Sequence, residues 1–180
     1  TSFDPLMIDE YLKNFLILKD LNTIAVVAPE ISESTKKNDL KSWGDFREME
    51  LVITSGNLLN LGLFHIIGKF NEKLFIDGVD MDYCLRAKIN QYRIIQFTNI
   101  FINHQLGETR VFMRRGKSSE KLVHNSTRWY YLIRNNLYLW KKYHKQFPNY
   151  VKTHSVVIRD RVRDVILYEK DIKKVICMFR

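Results

Sequence analysis

Residues 77–103, DGVDMDYCLRAKINQYRIIQFTNIFIN, decide the fold class. An acidic turn opens the stretch, a helix runs to about Ile89, and Tyr92 to Asn103 reads as a strand. Working back toward the start, Glu48–Thr54 reads as a strand ending at Ser55-Gly56, and Leu58–Ile67 as a short helix closed by Gly68. Thr23–Ala28 (TIAVVA) is wholly apolar, as a strand buried on both faces is, and Pro29 is expected to stop it. Pro5–Lys19 has apolar residues near a 3.6 period, with Asp4 as N-cap and Pro5 in the first turn. Residues 31–45 read as a loop and 70–75 as a connector. Working forward, residues 105–123 read as irregular and basic, and two long helices follow, Asn125–Tyr143 and about His154–Phe179. Strands and helices alternate, so the fold class is α/β.

The chain has 180 residues, 46% apolar and 27% charged, which is an ordinary globular mix. Two distant cysteines, Cys84 and Cys177, exclude a disulfide scaffold and a Cys-based zinc module. The opening residues lack the basic start of a signal peptide, so none is expected. The uncharged run Leu51–Gly68 contains Ser55, Gly56, Asn57, Asn60 and Gly62, and is read as buried core rather than a membrane span.

The net charge of +9 is uneven. Residues 1–109 hold 11 Lys/Arg against 15 Asp/Glu, residues 110–145 hold 10 against 1, and residues 146–180 hold 8 against 4. A basic back half points to an anionic partner: nucleic acid, a phosphorylated small molecule or an acidic membrane surface.

Asp77, Asp80 and Asp82 lie close together ahead of Arg86. An EF-hand is excluded, because the twelfth position from Asp77 is Lys88. Asp82 and Arg86 have the i,i+4 spacing of a helix ion pair. Asp80 falls in the first helical turn, where the helix dipole favours a carboxylate and leaves it suited to act as a general base. His104 ends a strand, and its ring can meet a phosphate or a metal. On the helix 125–143, Arg128, Tyr131, Arg134, Asn135 and Tyr138 fall near one stripe, a grip for a diphosphate or for single-stranded nucleic acid. Trp129, Leu132, Ile133, Leu137 and Trp140 lie toward an apolar face. The last helix carries Ile158, Val162, Val165, Ile172, Ile176 and Phe179 on one stripe amid Lys and Arg. That pattern serves packing or an anionic lipid surface equally.

Taken in order, ITSGNLL (53–59), IGKFNEKLFIDGVDMDYCLR (67–86), INHQLGE (102–108) and HNSTRWYYLIRNNLYLWKKY (124–143) resemble the carboxyl-terminal half of inverting family-2 glycosyltransferases, in their rhamnosyltransferase-like branch. The resemblance implies a partial GT-A fold over 1–150, followed by a basic amphipathic segment, 151–180. It implies sugar transfer from a nucleotide-sugar donor to a glycan or lipid-linked acceptor in bacterial surface-polysaccharide synthesis, by a cytoplasmic chain peripheral to the inner membrane face. Asp80 matches the catalytic base. Ser55 and Gly56 match the sugar and acceptor side, while His104, Arg128 and Arg134 match the diphosphate side. Asp77, Asp82 and Tyr131 complete the expected substrate-binding set. The family's acidic DxD motif, which holds a divalent Mg or Mn, has no counterpart in this sequence, so the chain is expected to be inactive alone. The rival expectation is a basic nucleic-acid-binding module on 110–145, or a non-catalytic interaction domain. Nucleic acid is the less favoured partner.

Overall fold

A computed structural model of the chain describes residues 5–32, 45–104 and 107–180. The proposed cap at Asp4, most of the 31–45 loop, and Gln105 and Leu106 lie outside the described residues. The chain divides into two compact units, one built from residues up to 71 with 80–104, the other from 72–79 with 107–180.

The first unit is a mixed four-stranded sheet flanked by helices. Its helices are α1 (Pro5–Ile17), α2 (Leu61–Ile67) and α3 (Val79–Ile89); its strands are β1 (Ile24–Ser32), β2 (Phe46–Glu48), β3 (Leu58–Leu59) and β4 (Arg93–Asn103). The order is β2-β4-β1-β3, with β1 parallel to β4 and the other pairs antiparallel. The apolar run of β1 is buried on both faces, as its composition requires. Val26 and Ile94 pack with Leu63, Ile67, Tyr83 and Cys84 from α2 and α3. Val27 and Ile95 point the other way, onto Tyr11 of α1. The Tyr11 hydroxyl donates to the Val27 carbonyl at 2.6 Å, and burial raises its pKa.

Three boundaries differ from expectation. β1 does not stop at Pro29 but runs on to Ser32, because the β1–β4 register slips between Ala28 and Glu30 and no ladder bond is asked of the proline nitrogen. Gln96 Nε2 donates to the Pro29 carbonyl at 3.1 Å. The strand expected at 48–54 lies earlier, at Phe46–Glu48. Its continuation is irregular yet buries Val52, whose carbonyl accepts the Cys84 thiol at 3.8 Å. The helix expected from Leu58 starts at Leu61, since Leu58 and Leu59 pair with β1 and Asn60 caps α2 by accepting the Gly62 and Leu63 N–H groups. Gly68 closes α2 with φ 91°, as expected.

The second unit contains a hairpin, β5 (Glu108–Arg114) and β6 (Lys117–Val123), and the helices α4 (Ser126–Tyr143), α5 (Pro148–Asp164) and α6 (Ile172–Met178). The hairpin overturns the reading of 105–123 as irregular. Arg115 and Gly116 have φ 49° and 74°, the paired left-handed values of a two-residue hairpin turn. The single long helix expected after His154 is also broken. A π turn at Val165–Glu169 and a left-handed Lys170 separate α5 from α6 and shift the helical phase. Ile158, Val162, Val165, Val175 and Met178 therefore pack on Trp129, Leu132 and Ile133 of α4. Ile172, Ile176 and Phe179, expected on the same stripe, are exposed. On α4 the faces also differ from the simple stripe, with Asn135 fully buried and Leu137 exposed.

Candidate active site

In the first unit, Ser55 and Gly56 form the turn after the irregular segment, where Gly56 adopts φ 73°. Folding brings Ser55 to His104 at the end of β4, with Ser55 Oγ 3.2 Å from His104 Nδ1. Asp80 lies in the first turn of α3 and is half-buried. Its Oδ1 accepts the Met81 N–H at 3.0 Å. Asp82, two residues on, is buried and meets Arg86 Nε at 2.9 Å, the pair its spacing implies. Arg86 also donates to the carbonyls of Ile67, Gly68 and Lys69 at 2.6, 3.0 and 2.8 Å. Asp82 thus orients a guanidinium that fastens the carboxyl end of α2 to α3. Burial pushes the nearby Cys84 thiol up to about 12, so it is not a nucleophile at neutral pH.

In the second unit, the segment 72–79 carries three left-handed residues, Phe75 (φ 59°), Asp77 (φ 61°) and Gly78 (φ 88°). Such backbone persists only where the surroundings hold it. Asn135 supplies the hold: its Nδ2 donates to the carbonyls of Leu74, Ile76 and Asp77 at 2.7, 2.8 and 2.7 Å. Arg128 forks onto Asp77, Nε to Oδ2 at 3.1 Å and a terminal nitrogen to Oδ1 at 3.2 Å. Arg134 donates to the Lys73 carbonyl at 2.6 Å and lies over the Tyr131 ring at 4.6 Å, while Tyr131 meets Phe75 at 5.0 Å. Asp77, Arg128, Tyr131 and Arg134 are therefore brought together as partners of one loop, and that loop is followed directly by Val79 and Asp80.

Asn135 is the residue whose importance the sequence reading missed. It lay on the polar stripe with the arginines, and only its complete burial shows that it organises the loop.

A metal does not fit the described residues. Among the described residues no group of three His, Cys, Asp or Glu side chains can hold one. Asp77 and Asp82 are engaged by arginines, and His104 Nδ1 by Ser55.

The first unit is an α/β sheet with a carboxylate at the start of α3, and the second fixes the loop 72–79 on α4. No family model matches the chain, and no solved structure matches it. Among curated proteins it is similar to the dTDP-rhamnosyl transferase RfbF of Shigella flexneri, 31% identical over 94 residues. That alignment covers 52% of this chain and 31% of the relative, so the chain matches about a third of the relative's length.

Proposed function

We propose that the chain is the acceptor-side part of an inverting, nucleotide-sugar-dependent glycosyltransferase of the family-2, GT-A type. The similarity to a dTDP-rhamnosyl transferase carries this reading. The α/β sheet and the position of Asp80 at the start of α3 are consistent with it. In the reaction, Asp80 accepts the proton of an acceptor hydroxyl while that oxygen bonds to the anomeric carbon. The bond from that carbon to the donor diphosphate breaks, and the nucleoside diphosphate leaves. Ser55, Gly56 and His104 stand on the sugar and acceptor side of this scheme, and Arg128 and Arg134 toward the diphosphate. The donor is a nucleotide sugar, of which a dTDP-linked rhamnose is the first to try. The acceptor is a glycan or lipid-linked glycan at the cytoplasmic membrane face, and a divalent Mg or Mn would come from residues other than those described.

The test is Asp80→Asn in the intact enzyme, followed by release of nucleoside diphosphate from dTDP-linked sugars. Turnover should fall by about two to four orders of magnitude, the scale of lost general-base catalysis, with donor affinity little changed. Near-normal turnover would remove Asp80 from the mechanism.

A further inference from the structure

Phe75 is unfavourably placed twice over. It is 72% exposed, and its backbone is left-handed at φ 59°, a conformation that a bulky side chain rarely adopts. Asn135 imposes the placement: its Nδ2 donates to the carbonyls on either side, Leu74 at 2.7 Å and Ile76 at 2.8 Å. The Phe75 N–H donates in turn to the Glu72 carbonyl at 3.1 Å. Glycine or asparagine would take this backbone with less strain, and a polar side chain would suit the solvent better. A strained, exposed aromatic ring held by a fully buried amide is an outlier that points to a function.

The ring is also backed. Tyr131 meets it with centroids 5.0 Å apart and planes tilted by 48°. Tyr130 stands edge-on to Tyr131 at 5.2 Å, and the Arg134 guanidinium lies over the two tyrosine rings at 5.7 and 4.6 Å. Arg134 Nε and a terminal nitrogen donate to Asn135 Oδ1 at 2.9 and 2.8 Å. The amide that fixes the loop thus also fixes the cation that steadies the tyrosines. Both tyrosines are half-buried and bring hydroxyls, each a donor and an acceptor.

An exposed aromatic face supported by tyrosines matches a pyranose ring, which is apolar across one face and polar around its rim. Other occupants fit less well. A nucleic-acid strand asks for a series of exposed rings along a basic groove, whereas Tyr130 and Tyr131 are half-buried and Phe75 alone of the three is presented. A protein partner asks for a broad apolar patch, and on the loop 72–79 only Ile76, at 36%, is exposed with Phe75.

We infer that Phe75, backed by Tyr131, is a stacking platform for one pyranose ring of a neutral glycan. The choice of a sugar rests on the glycosyl-transfer reading. Phe75 lies outside the expected substrate set, and the platform recognises a ring by its shape without reacting with it. Binding there asks nothing of Asp80, Ser55 or Arg128.

The test titrates the full chain with methyl β-galactopyranoside and methyl α-rhamnopyranoside, and follows saturation transfer to the sugar protons by NMR. Saturable millimolar binding of at least one is expected, with transfer concentrated on the C–H groups of one sugar face and the Phe75 ring signals moving. Phe75→Ala should weaken it about tenfold or more, and Phe75→Trp should keep it. Phe75→Asn separates a platform from a packing residue. It should abolish binding yet leave the melting temperature at or above that of the parent, because asparagine accepts the left-handed backbone. Phe179→Ala, which removes an equally exposed ring from α6, should leave binding unchanged. The inference is overturned if neither sugar binds saturably, or if Phe179→Ala acts as strongly as Phe75→Ala. Tighter binding of thymidine than of either sugar at Phe75 would make it a base-stacking site, and a marked fall in the melting temperature of Phe75→Asn would make Phe75 a structural residue. Turnover is read separately in the intact enzyme. Sugar binding without transfer counts against the transfer reading alone, whereas transfer without binding at Phe75 counts against the platform alone.

Discussion

Asp80 and Asp82 are two residues apart and of the same type, yet their surroundings give them different work. Asp82 is buried and committed to Arg86, which in turn holds three carbonyls at the end of α2. Asp82→Asn halves that charge-assisted contact within a closed network and should cost about 1–3 kcal/mol of stability. Thermal melts check it: a melting temperature like that of the parent would show that Arg86 does not need the carboxylate. Asp80 is half-buried, so Asp80→Asn should leave the melt nearly unaltered while affecting turnover. His124 gives a pH dependence of definite sign. Its pKa of about 4 lies below the ordinary histidine value, so between pH 6.5 and 4 the unfolded chain binds a proton that the folded chain refuses. Stability therefore falls as pH drops through that window, by up to about 3 kcal/mol, and is unaffected by this group above it. Carboxylates titrate in the same range, so the informative quantity is the difference from His124→Gln. The variant's urea-denaturation profile should be flatter between pH 6.5 and 4.5, and parallel profiles would show that His124 protonates equally in both states.

The segment 72–79 and helix α4 form one device, and it can be broken at either partner. Gly78 sits at φ 88°, and an added Cβ would lie 3.0 Å from Leu139 Cδ1. Gly78→Ala thus combines left-handed strain with a tight contact and should cost about 1–3 kcal/mol. Asn135→Ala strands the carbonyls of Leu74, Ile76 and Asp77 and should cost as much or more. By contrast, Gly116→Ala in the hairpin turn meets nothing within 4 Å and should cost only about 1 kcal/mol. Denaturant midpoints for the three variants check this order, and equal losses at Gly78 and Gly116 would dispose of the packing argument. These elements also show what the sequence could tell. The α/β class, the stop at Gly68 and the Asp82–Arg86 pair rest on local spacing, which a sequence displays directly. The hairpin was missed because both of its strands are largely exposed and carry charges on either face, so no apolar alternation marks them. The grip of Asn135 on a loop some 60 positions away depends on tertiary contacts, and no local pattern announces those. The π turn at 165–169 likewise changed the phase of a stripe that looked continuous.

At the scale of the whole molecule, charge and exposed apolar surface fall together near the carboxyl end. Residues 110–180 carry 18 Lys/Arg against 5 Asp/Glu. The phase shift after α5 leaves Ile172, Ile176 and Phe179 as a stripe at i, i+4 and i+7 that is 75%, 61% and 72% exposed. Lys170, Lys173 and Arg180 accompany it. Among the described residues no helix is long and apolar enough to cross a membrane. The anionic membrane surface expected from the sequence would take such a stripe at its boundary, where each cation near the surface is worth about 1 kcal/mol and apolar side chains bury shallowly. The same basic surface would also attract nucleic acid, and the two partners differ in what they ask of the stripe. For vesicles, Ile172→Ser with Ile176→Ser should weaken binding about tenfold or more at constant charge, since two buried aliphatic side chains are lost. For single-stranded nucleic acid, where affinity follows counterion release, that double variant should bind as before and the response to salt should be steep. Cosedimentation with phosphatidylglycerol vesicles against neutral phosphatidylcholine vesicles, at about 0.1 M salt, reads the first outcome. Binding to anionic vesicles that is indifferent to the double substitution would show that charge alone acts, and would leave the exposed stripe on α6 without a role at the membrane.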